Sequence, residues 1–438
     1  MKGTGKARPA SAGPTLSAEQ AAAKITPARK AAFEILKLVG ENKGHSDELL
    51  HSAHIETLSP EDRNLTTALV MGVLRWQIAL DARIRTLLQR PEQRLAEPVA
   101  LALRLGAFQL LHMDRIPAHA ALSESVELCR AAGEPHATGM VNAILRKLAA
   151  AQKPKERVFE STAAFAERLG HPRWLVERWV SAYGREATLA ICEADQQEPS
   201  ESSIFAEVGV DLPLMDDGSR LVAELAATAA PNAQRVWDCC SAPGGKTLML
   251  ALREPDAELY ATDVSAKRTA QMQARLRRFA YAERVRCSVV DAIKATPSND
   301  KFDLILCDVP CSGTGTLSAN PEIRHRLKPE EFTRQAERQR SILKGALSRL
   351  AVGGRLIYST CSLELEENQQ VVDAVVDEAE FRRIEVGDLL DSLRKSGSFR
   401  EGVDLTSTVR EGALRTLPGV HGCDGFFAVV LERIAEQQ

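Results

Sequence analysis

From residue 235 onward, short apolar segments alternate with amphipathic segments, and this alternation restricts the possible folds more than any other feature of the chain. Helical stretches such as SAKRTAQMQARLRRFA and FTRQAERQRSILKGALSRL separate five strand-like segments: RVWDCCS, AELYATDVS, VRCSVVD, FDLILCDV and GRLIYSTCS. The pattern predicts an α/β fold with a doubly wound parallel sheet, to which FRRIEV and GFFAVVLERI add two further strands. Ligands bind outside the carboxyl ends of such strands, so the residues that follow each strand are the functional candidates.

The first half of the chain has a different pattern. Residues 1–25 are rich in Ala, Gly, Pro, Ser and Lys, which predicts a disordered basic tail. Residues 26–152 have helical apolar spacing, with Ser59 as the N-cap of a long helix, and predict an all-α bundle. Residues 153–230 combine an amphipathic helix, HPRWLVERWVSAYG, with a linker, QQEPSESS, and weakly patterned sequence. Residues 231–438 then form the α/β domain.

Composition and charge exclude some classes of protein. The net charge of −3 gives no global basic field, and the local basic clusters at 1–30 and 264–288 have the composition of either phosphate-binding or simply solvated faces. The nine cysteines lack the spacing of zinc ligands, so we expect no metal site. Free thiols, no signal peptide and no membrane-spanning run predict a cytoplasmic protein, which we expect to be monomeric.

The turn CSAPGGKT after the first strand has two interpretations. Its spacing nearly matches a phosphate-binding P-loop, but Cys240 occupies the place of the first glycine, and an ATPase is the competing hypothesis. Asp263 ends the second strand, where an acid can accept hydrogen bonds from a ribose diol, and Asp291 ends the third, where it can face an adenine amino group. Either acid alone could be an Asx turn or a helix cap. Together with the glycine turn they favour an adenosine cofactor without a triphosphate.

Two cysteines lie at the ends of the fourth and fifth strands. Cys311 follows Asp308 in CDVPCSGTG, and Cys361 lies in YSTCS. A thiolate is a strong nucleophile that can later leave, and a neighbouring carboxyl group can supply a proton. A single cysteine is usually a small buried apolar side chain. Two cysteines at adjacent strand ends, each followed by serine, favour a catalytic role over a purely structural one.

Taken together, DCCSAPGGKT, DVPCSGTG and YSTCSLELEEN resemble the motifs of RNA cytosine-C5 methyltransferases, and within these the bacterial RsmB/Fmu (Sun) type that modifies 16S ribosomal RNA. RLGAFQLLHMDRIPAHAALSESVELCR and GMVNAILRKL are similar to the NusB-like RNA-binding domain of that family, and LPGVHGCDGFF is similar to its closing strand motif. The resemblance implies a Rossmann-like class I methyltransferase sheet preceded by an all-α NusB-like domain.

The resemblance also implies roles for individual residues. Cys361 would be the nucleophile that adds to C6 of cytosine, Asp308 would contact the base edge, and Cys311 would assist product release. The cofactor would be S-adenosyl-L-methionine, and the residues that bind it would be Cys240, Ser241, Ala242, Pro243, Gly244, Gly245, Lys246, Asp263, Asp291 and Asp308. RNA would be the partner, and the usual target of the family is cytosine 967 of 16S rRNA.

The chain departs from the family pattern at Ser241 and Val309, which are small changes, and in a segment at 195–234 that is shorter than usual. The resemblance therefore implies that residues 153–230 are a linker and a shortened RNA-positioning subdomain. The shortening concerns recognition of the RNA target more than the reaction. The alternatives are a cytosine-C5 methyltransferase for another rRNA or a tRNA site, and a non-catalytic RNA-binding assembly factor. Arg324, Arg326 and Lys328, after the fourth strand, have two equal interpretations, an RNA-backbone contact or a solvated helix entry.

Overall fold

The computed structural model describes residue 20 and residues 24–151, 160–199, 203–206 and 212–435. The predicted disordered tail therefore lies almost wholly outside the described residues. The chain divides into two compact units, residues 1–173 and residues 174–438. None of the helices in the described ranges combines the length and the apolar character that crossing a membrane requires.

The described part of the first unit is helical, as predicted. Its long helix begins after Ser59, whose Oγ accepts a hydrogen bond from the backbone N–H of Asp62 at 3.1 Å, so the predicted N-cap is confirmed. Leu69, Leu103 and Leu145, from three different helices, are fully buried in one core. The α-helices are α1 (Pro27–Gly40), α2 (Ser46–Leu50), α3 (Ala53–Glu56), α4 (Pro60–Arg85), α5 (Glu97–His112), α6 (Ala118–Ala131), α7 (Thr138–Ala150) and α8 (Thr162–Arg168).

The second unit contains a nine-stranded sheet. Its strands are β1 (Arg235–Asp238), β2 (Glu258–Asp263), β3 (Arg286–Val289), β4 (Phe302–Asp308), β5 (Leu350–Thr360), β6 (Phe381–Ile384), β7 (Val409–Arg410), β8 (Ala413–Arg415) and β9 (Phe427–Arg433). Its helices are α9 (Arg173–Tyr183, which begins at the division), α10 (Arg185–Ala194), α11 (Asp217–Ala229), α12 (Gly245–Arg253), α13 (Ala266–Leu276), α14 (Ile323–Arg326), α15 (Pro329–Leu347), α16 (Gln369–Val375) and α17 (Val386–Lys395). All seven predicted strands are present, and β7 and β8 are additional.

The strand order is β3-β2-β1-β4-β5-β9-β8-β7, and β6 also pairs with β9. The five strands from β3 to β5 are parallel, whereas β9 pairs antiparallel with β5, β6 and β8. The predicted parallel sheet is therefore confirmed for the five strands from β1 to β5, and β6 to β9 add an antiparallel part whose direction was not predicted. The direction in which the strands are added reverses between β1 and β4, and a crevice forms at such a switch point.

The alternation of side chains along β4 explains why the sheet is covered on both faces. Leu304 and Leu306 belong to a core that contains residues of α11 and α12, whereas Ile305 and Cys307 belong to a second core that contains residues of α15. All four side chains are fully buried. Burial on both faces is typical of parallel strands, and it fixes the carboxyl ends of the strands that carry the candidate residues.

The predicted segment 153–230 is mostly helical where the structure describes it. Helix α8 packs against α4 in the first unit, and α9 opens the second. The sequence analysis missed α11 at 217–229, although its signals are present. Asp216 caps this helix by accepting a hydrogen bond from the N–H of Gly218 at 2.6 Å, and Leu221 and Leu225 lie buried one turn apart.

Candidate active site at the carboxyl ends of the strands

A cavity of about 170 Å³ lies at the carboxyl ends of the parallel strands. Several of the predicted site residues line it together: Cys240, Ala242, Asp263, Asp291, Asp308, Cys311 and Cys361. They lie at the last residue of a strand or in the loop that follows it, at five different strands, so the fold brings together residues that are up to about 120 positions apart in the sequence. The cavity contains both the acids predicted for an adenosine cofactor and the two predicted reactive thiols.

The remaining predicted residues of the glycine turn shape the turn and do not line the cavity. The hydroxyl of Ser241 donates to the carbonyl oxygen of Thr262 at 2.9 Å and fastens the turn to β2. Gly244 has φ of +95°, a left-handed conformation that favours glycine, and its N–H donates to the carbonyl of Ser241 at 2.7 Å. Pro243 lies within this turn, and Gly245 begins α12.

Asp263 is almost fully buried, and its carboxylate already has partners. Its Oδ1 accepts a hydrogen bond from the N–H of Ser265 at 2.9 Å, and its Oδ2 lies 3.1 Å from Nη1 of Arg268. The same guanidinium donates through Nη2 to the carbonyl of Ala242 and so joins the acid to the glycine turn. A ribose diol at this acid would therefore share it with Arg268, a cavity residue that the sequence analysis missed.

Asp291 forms the Asx turn that was one interpretation of it, and it also lies in the wall of the cavity. Its Oδ1 accepts a hydrogen bond from the N–H of Ile293 at 3.1 Å, which is an Asx turn, and the residue also lines the cavity. Two apolar side chains flank the acids, Val264 at 51% exposure and Ile293 at 42%. Exposed apolar side chains beside a carboxylate suit a flat aromatic ring. The signal in the sequence is an apolar residue shortly after each acid.

Asp308 is held by two donors. Its Oδ2 accepts from Nζ of Lys246 at 2.7 Å, and its Oδ1 accepts from Oγ of Ser359 on β5 at 2.7 Å. Burial alone would lower the pKa of Lys246, but the charge and the hydrogen bond of Asp308 raise it above its ordinary value. The Lys246 side chain is only 11% exposed and its Nζ lies 5.0 Å from the centre of the Phe426 ring. A P-loop lysine must reach phosphates, whereas this lysine is committed to a carboxylate.

The two predicted reactive thiols are neighbours. Cys311 Sγ lies 3.2 Å from Cys361 Sγ, and both residues are partly buried. The hydrogen bond with Cys361 and burial raise the pKa of Cys311 well above the ordinary value of a thiol. The N–H of Gly315 donates to the carbonyl of Cys361 at 2.9 Å, so the loops after β4 and β5 are joined through the backbone as well.

The approach of the loops requires glycine at two positions. A Cβ atom at Gly315 would lie 2.1 Å from the carbonyl oxygen of Gly425, and one at Gly425 would lie 2.5 Å from a methyl group of Leu363. The N–H of Gly425 donates to the carbonyl of Gly315 at 2.8 Å. The closing motif LPGVHGCDGFF therefore packs directly against the loop that carries Cys311.

Asp238, at the end of β1, is a buried acid that the sequence analysis did not single out. It is 1% exposed, and one carboxylate oxygen accepts from the hydroxyl of Thr247 at 2.7 Å. Burial raises its pKa to about 7, although the hydrogen bond from Thr247 acts in the opposite direction. The acid therefore titrates near neutral pH, behind the loop that forms the glycine turn.

Helix α9 supports the loop that follows Cys361. Arg178 forms ion pairs with Glu364 at 2.9 Å and Glu366 at 2.7 Å, and the indole N–H of Trp179 donates to Glu364 at 2.9 Å. The hydroxyl of Tyr183 donates to the carbonyl of Leu363. Helix α9, within the predicted segment 153–230, thus stabilises the candidate active site.

The basic residues after β4 do not act as one group. Arg324 is 2% exposed and its Nη2 contacts the carbonyl oxygens of Asp195 at 3.3 Å and Leu317 at 3.4 Å, so an RNA contact by Arg324 is excluded. Lys328 is exposed.

Arg338 and Ile342, on α15, line the cavity and were missed by the sequence analysis. In the described ranges, no three His, Cys, Asp or Glu side chains are grouped as metal ligands.

Comparisons with known proteins agree with this geometry. Residues 226–432 match the family described as 16S rRNA methyltransferase RsmB/F, and residues 26–150 match the NusB family. The chain is 30% identical to the probable ribosomal RNA small subunit methyltransferase B of Bacillus subtilis (strain 168), over 92% of this chain and 98% of that protein. It is also 30% identical to the ribosomal RNA small subunit methyltransferase B of Xanthomonas campestris pv. campestris, over 95% of this chain and 99% of that protein.

One solved structure has the same fold over most of its length. The crystal structure of PH0851 matches with a TM-score of 0.67 and 21% sequence identity, covering 93% of this chain and 98% of that chain. The resemblance noted from the sequence motifs and the predicted combination of a NusB-like helical domain with a Rossmann-like sheet are therefore confirmed. The chain belongs to the RsmB/F family of rRNA methyltransferases.

Proposed function

We propose that the protein is an S-adenosyl-L-methionine-dependent RNA cytosine-C5 methyltransferase that acts on 16S rRNA through a covalent cysteine adduct. The observation that carries the proposal is the 3.2 Å distance between the thiols of Cys311 and Cys361, in a cavity that Asp308 also lines. A nucleophile, a second sulfur and a carboxyl group in one cavity are the groups that this reaction needs.

The cavity residues fit the cofactor. Asp263 offers carboxylate oxygens for a ribose diol, and Asp291, between Val264 and Ile293, offers an acceptor for an adenine amino group. The glycine turn from Cys240 to Lys246 closes this side of the cavity. S-adenosyl-L-methionine bound here would supply the methyl group for C5 of the pyrimidine. The commitment of Lys246 to Asp308 leaves no free cation in the turn for a triphosphate, which argues against the ATPase hypothesis.

The two thiols and Asp308 account for the chemistry on the base. The thiolate of Cys361 forms a bond to C6, and the electron pair of the C5–C6 double bond makes C5 nucleophilic. Asp308 contacts the base edge, and its carboxyl group donates a hydrogen bond to N3 as negative charge develops there. The carboxyl group takes the proton for this from Nζ of Lys246 and returns it when C5 has been methylated. Once C5 is methylated, a water molecule acts as the base that takes the C5 proton. The electron pair of the C5–H bond re-forms the C5–C6 double bond, and the Cys361–C6 bond breaks with its electron pair returning to sulfur as the Cys361 thiolate. Cys311, beside Cys361, assists this release.

The names of the relatives and the geometry of the cavity both support the proposed RNA substrate. The names of the relatives specify the small-subunit ribosomal RNA, and the N-terminal match is to the NusB family. Cytosine 967 is the usual target of the family and is our proposed site. The reactive groups line a cavity of about 170 Å³, so the target base must leave its stack to reach them. We propose a cytoplasmic, monomeric enzyme.

Wild-type protein, Cys361→Ala and Cys311→Ala should be incubated with 16S rRNA and radiolabelled S-adenosyl-L-methionine. We expect Cys361→Ala to abolish methyl transfer and Cys311→Ala to accumulate a protein–RNA adduct that survives a denaturing gel. Cys287→Ala is the matched control, because Cys287 is partly buried but lies outside the cavity. Full activity of Cys361→Ala, or no adduct with any variant, would contradict the covalent mechanism.

Two further measurements separate the alternative functions. Bisulfite sequencing of rRNA from a deletion strain identifies the target, and loss of 5-methylcytosine at a position other than 967 would revise the site but not the reaction. Calorimetric titration with S-adenosylhomocysteine and with ATP distinguishes a methyltransferase from an ATPase. Binding of RNA without methylation would support the non-catalytic assembly factor.

A further inference from the structure

Each of the two cysteines is followed by a serine, Ser312 and Ser362, and the proposed chemistry gives these serines no role. Both side chains point to the same acceptor. Ser362 Oγ donates to Oε2 of Glu367 at 2.5 Å, and Ser312 Oγ donates to the same oxygen. The two hydroxyl groups also lie 3.1 Å from each other. The Cys-Ser sequence therefore occurs twice because both serines bind the same carboxylate, that of Glu367.

The other oxygen of Glu367 is also fully engaged. Its Oε1 accepts from the backbone N–H of Ser312 at 2.9 Å and from Nε2 of Gln339 at 3.0 Å. Gln339, on α15, also donates to the carbonyl of Pro310 at 3.0 Å. The carboxylate thus contacts the residue after each cysteine, and through Gln339 it is connected to the residue before Cys311.

Glu367 differs from the acids next to it in the sequence LELEEN. Glu367 and Gln339 are fully buried, whereas the side chain of Glu366 is 32% exposed and pairs with Arg178. Burying a carboxylate is costly unless its oxygens are hydrogen-bonded, and here four donors satisfy them. The hydroxyl of Tyr358 holds the backbone at the same place by donating to the carbonyl of Glu367 at 2.6 Å. A rigid, fully satisfied acceptor is suited to fixing two loops against each other.

We propose that Glu367 is a positioning residue that sets the distance between the Cys311 and Cys361 thiols by binding Ser312 and Ser362 at once. It acts through these serines and does not touch the substrate. This inference rests on the proposed two-thiol reaction, because it assigns a carboxylate to the geometry which that reaction needs. The negative charge of Glu367 also contributes, after the contact with Cys361 and burial, to the raised pKa of Cys311, so the carboxylate favours the protonated thiol there.

The test compares Glu367→Ala, Glu367→Gln and the double variant Ser312→Ala/Ser362→Ala with the wild type. We expect Glu367→Ala to slow methyl transfer by about 100-fold, which is the effect of misplacing reacting groups by about 1 Å. Glu367→Gln should be affected by only about 10-fold, because the serine hydroxyls can turn to accept from the amide. Affinity for S-adenosylhomocysteine should stay unchanged, since none of the substituted residues lines the cavity. Glu378→Gln, at an exposed position outside these contacts, is the matched control and should transfer at the wild-type rate.

A second readout measures the thiol geometry without RNA. Diamide takes two electrons and two protons from a pair of thiols and leaves a disulfide, and the sulfurs must approach to about 2.05 Å. We expect the Cys311–Cys361 disulfide, quantified by mass spectrometry, to form several-fold more slowly in Glu367→Ala and in the double-serine variant. If Glu367→Ala does not fold, the double-serine variant gives the same comparison.

The outcomes distinguish this inference from the proposed function. Wild-type rates of both transfer and disulfide formation in Glu367→Ala and in the double-serine variant would overturn the positioning role. Absence of a protein–RNA adduct in Cys311→Ala would instead overturn the proposed reaction, and the diamide comparison would still decide whether Glu367 fixes the two thiols.

Discussion

The Asp238→Asn substitution should make the stability of the α/β unit less dependent on pH. Asp238 is 1% exposed at the end of β1, and burial raises its pKa to about 7, against an ordinary value of 3.8. Between these two pH values the folded protein retains a proton that the unfolded chain has released. Raising the pH therefore favours unfolding, and stability that is present below pH 4 is lost as the pH passes through 7.

The size of the effect follows from the same two values. The pKa of Asp238 is about 7 in the folded protein and 3.8 in the unfolded chain. This pKa difference corresponds to a loss on the order of 4 kcal/mol in the free energy of unfolding between pH 4 and pH 8. Asparagine has nearly the same shape, keeps an oxygen for the hydroxyl of Thr247 and carries no titrating proton. The variant should match the wild type near pH 4 within about 1 kcal/mol and exceed it by several kcal/mol at pH 8.

Urea denaturation at several pH values measures this difference. Trp76 is the only one of the four tryptophans in the first unit, so a Trp76→Phe background makes fluorescence report on the second unit. Subtracting the wild-type free energy from that of the variant at each pH cancels the titration of all other groups. Asp256→Asn, at an exposed position, removes the same charge and is the matched control. A difference that is constant from pH 4 to pH 8 would refute the reasoning.

The remaining predictions concern the packing and charge of the site. Gly315→Ala should destabilise the second unit by about 3 kcal/mol or more, because its Cβ would lie 2.1 Å from the carbonyl of Gly425. Gly387→Ala, in open space on α17, should instead be neutral or slightly stabilising, and thermal unfolding compares the two. Lys246→Met should cost about 3 kcal/mol by leaving the Asp308 carboxylate without its cation. Adding Asp308→Asn should recover part of this loss in a double-mutant cycle of urea midpoints, and strictly additive costs would refute the pairing.

The sequence allowed the cavity residues to be predicted because the carboxyl ends of parallel strands meet at one edge of a sheet. Asp263, Asp291 and Cys361 each lie at or just after the carboxyl end of a predicted strand, so their convergence follows from topology. The antiparallel direction of β9 could not be predicted from the sequence, because an apolar run such as GFFAVV does not indicate which way the strand runs in the sheet. The strands β7 and β8 are only two and three residues long, too short for a period to be detected.

The supporting contacts were not predictable from local pattern. Arg178 and Glu364 are 186 positions apart, and their pairing depends on the packing of α9. The acids of LELEEN have the composition of a solvated turn, and nothing in their spacing separates the buried Glu364 and Glu367 from Glu366. Tertiary packing decides which acid becomes an internal acceptor. The two Cys-Ser pairs were visible as a repetition, but its meaning required the position of Glu367.

The position of β9 in the sheet has a consequence for how the chain matures during synthesis. This strand, at Phe427–Arg433, pairs along one side with β5 and along the other with β6 and β8, so it fills an internal place in the sheet. A nascent polypeptide therefore has a gap in its sheet until these residues leave the ribosomal exit tunnel, and domains generally fold as units. The sheet that carries the catalytic centre is therefore completed in one step, after β9 has been synthesised. Translation that stops before β9 yields a polypeptide without a formed catalytic centre.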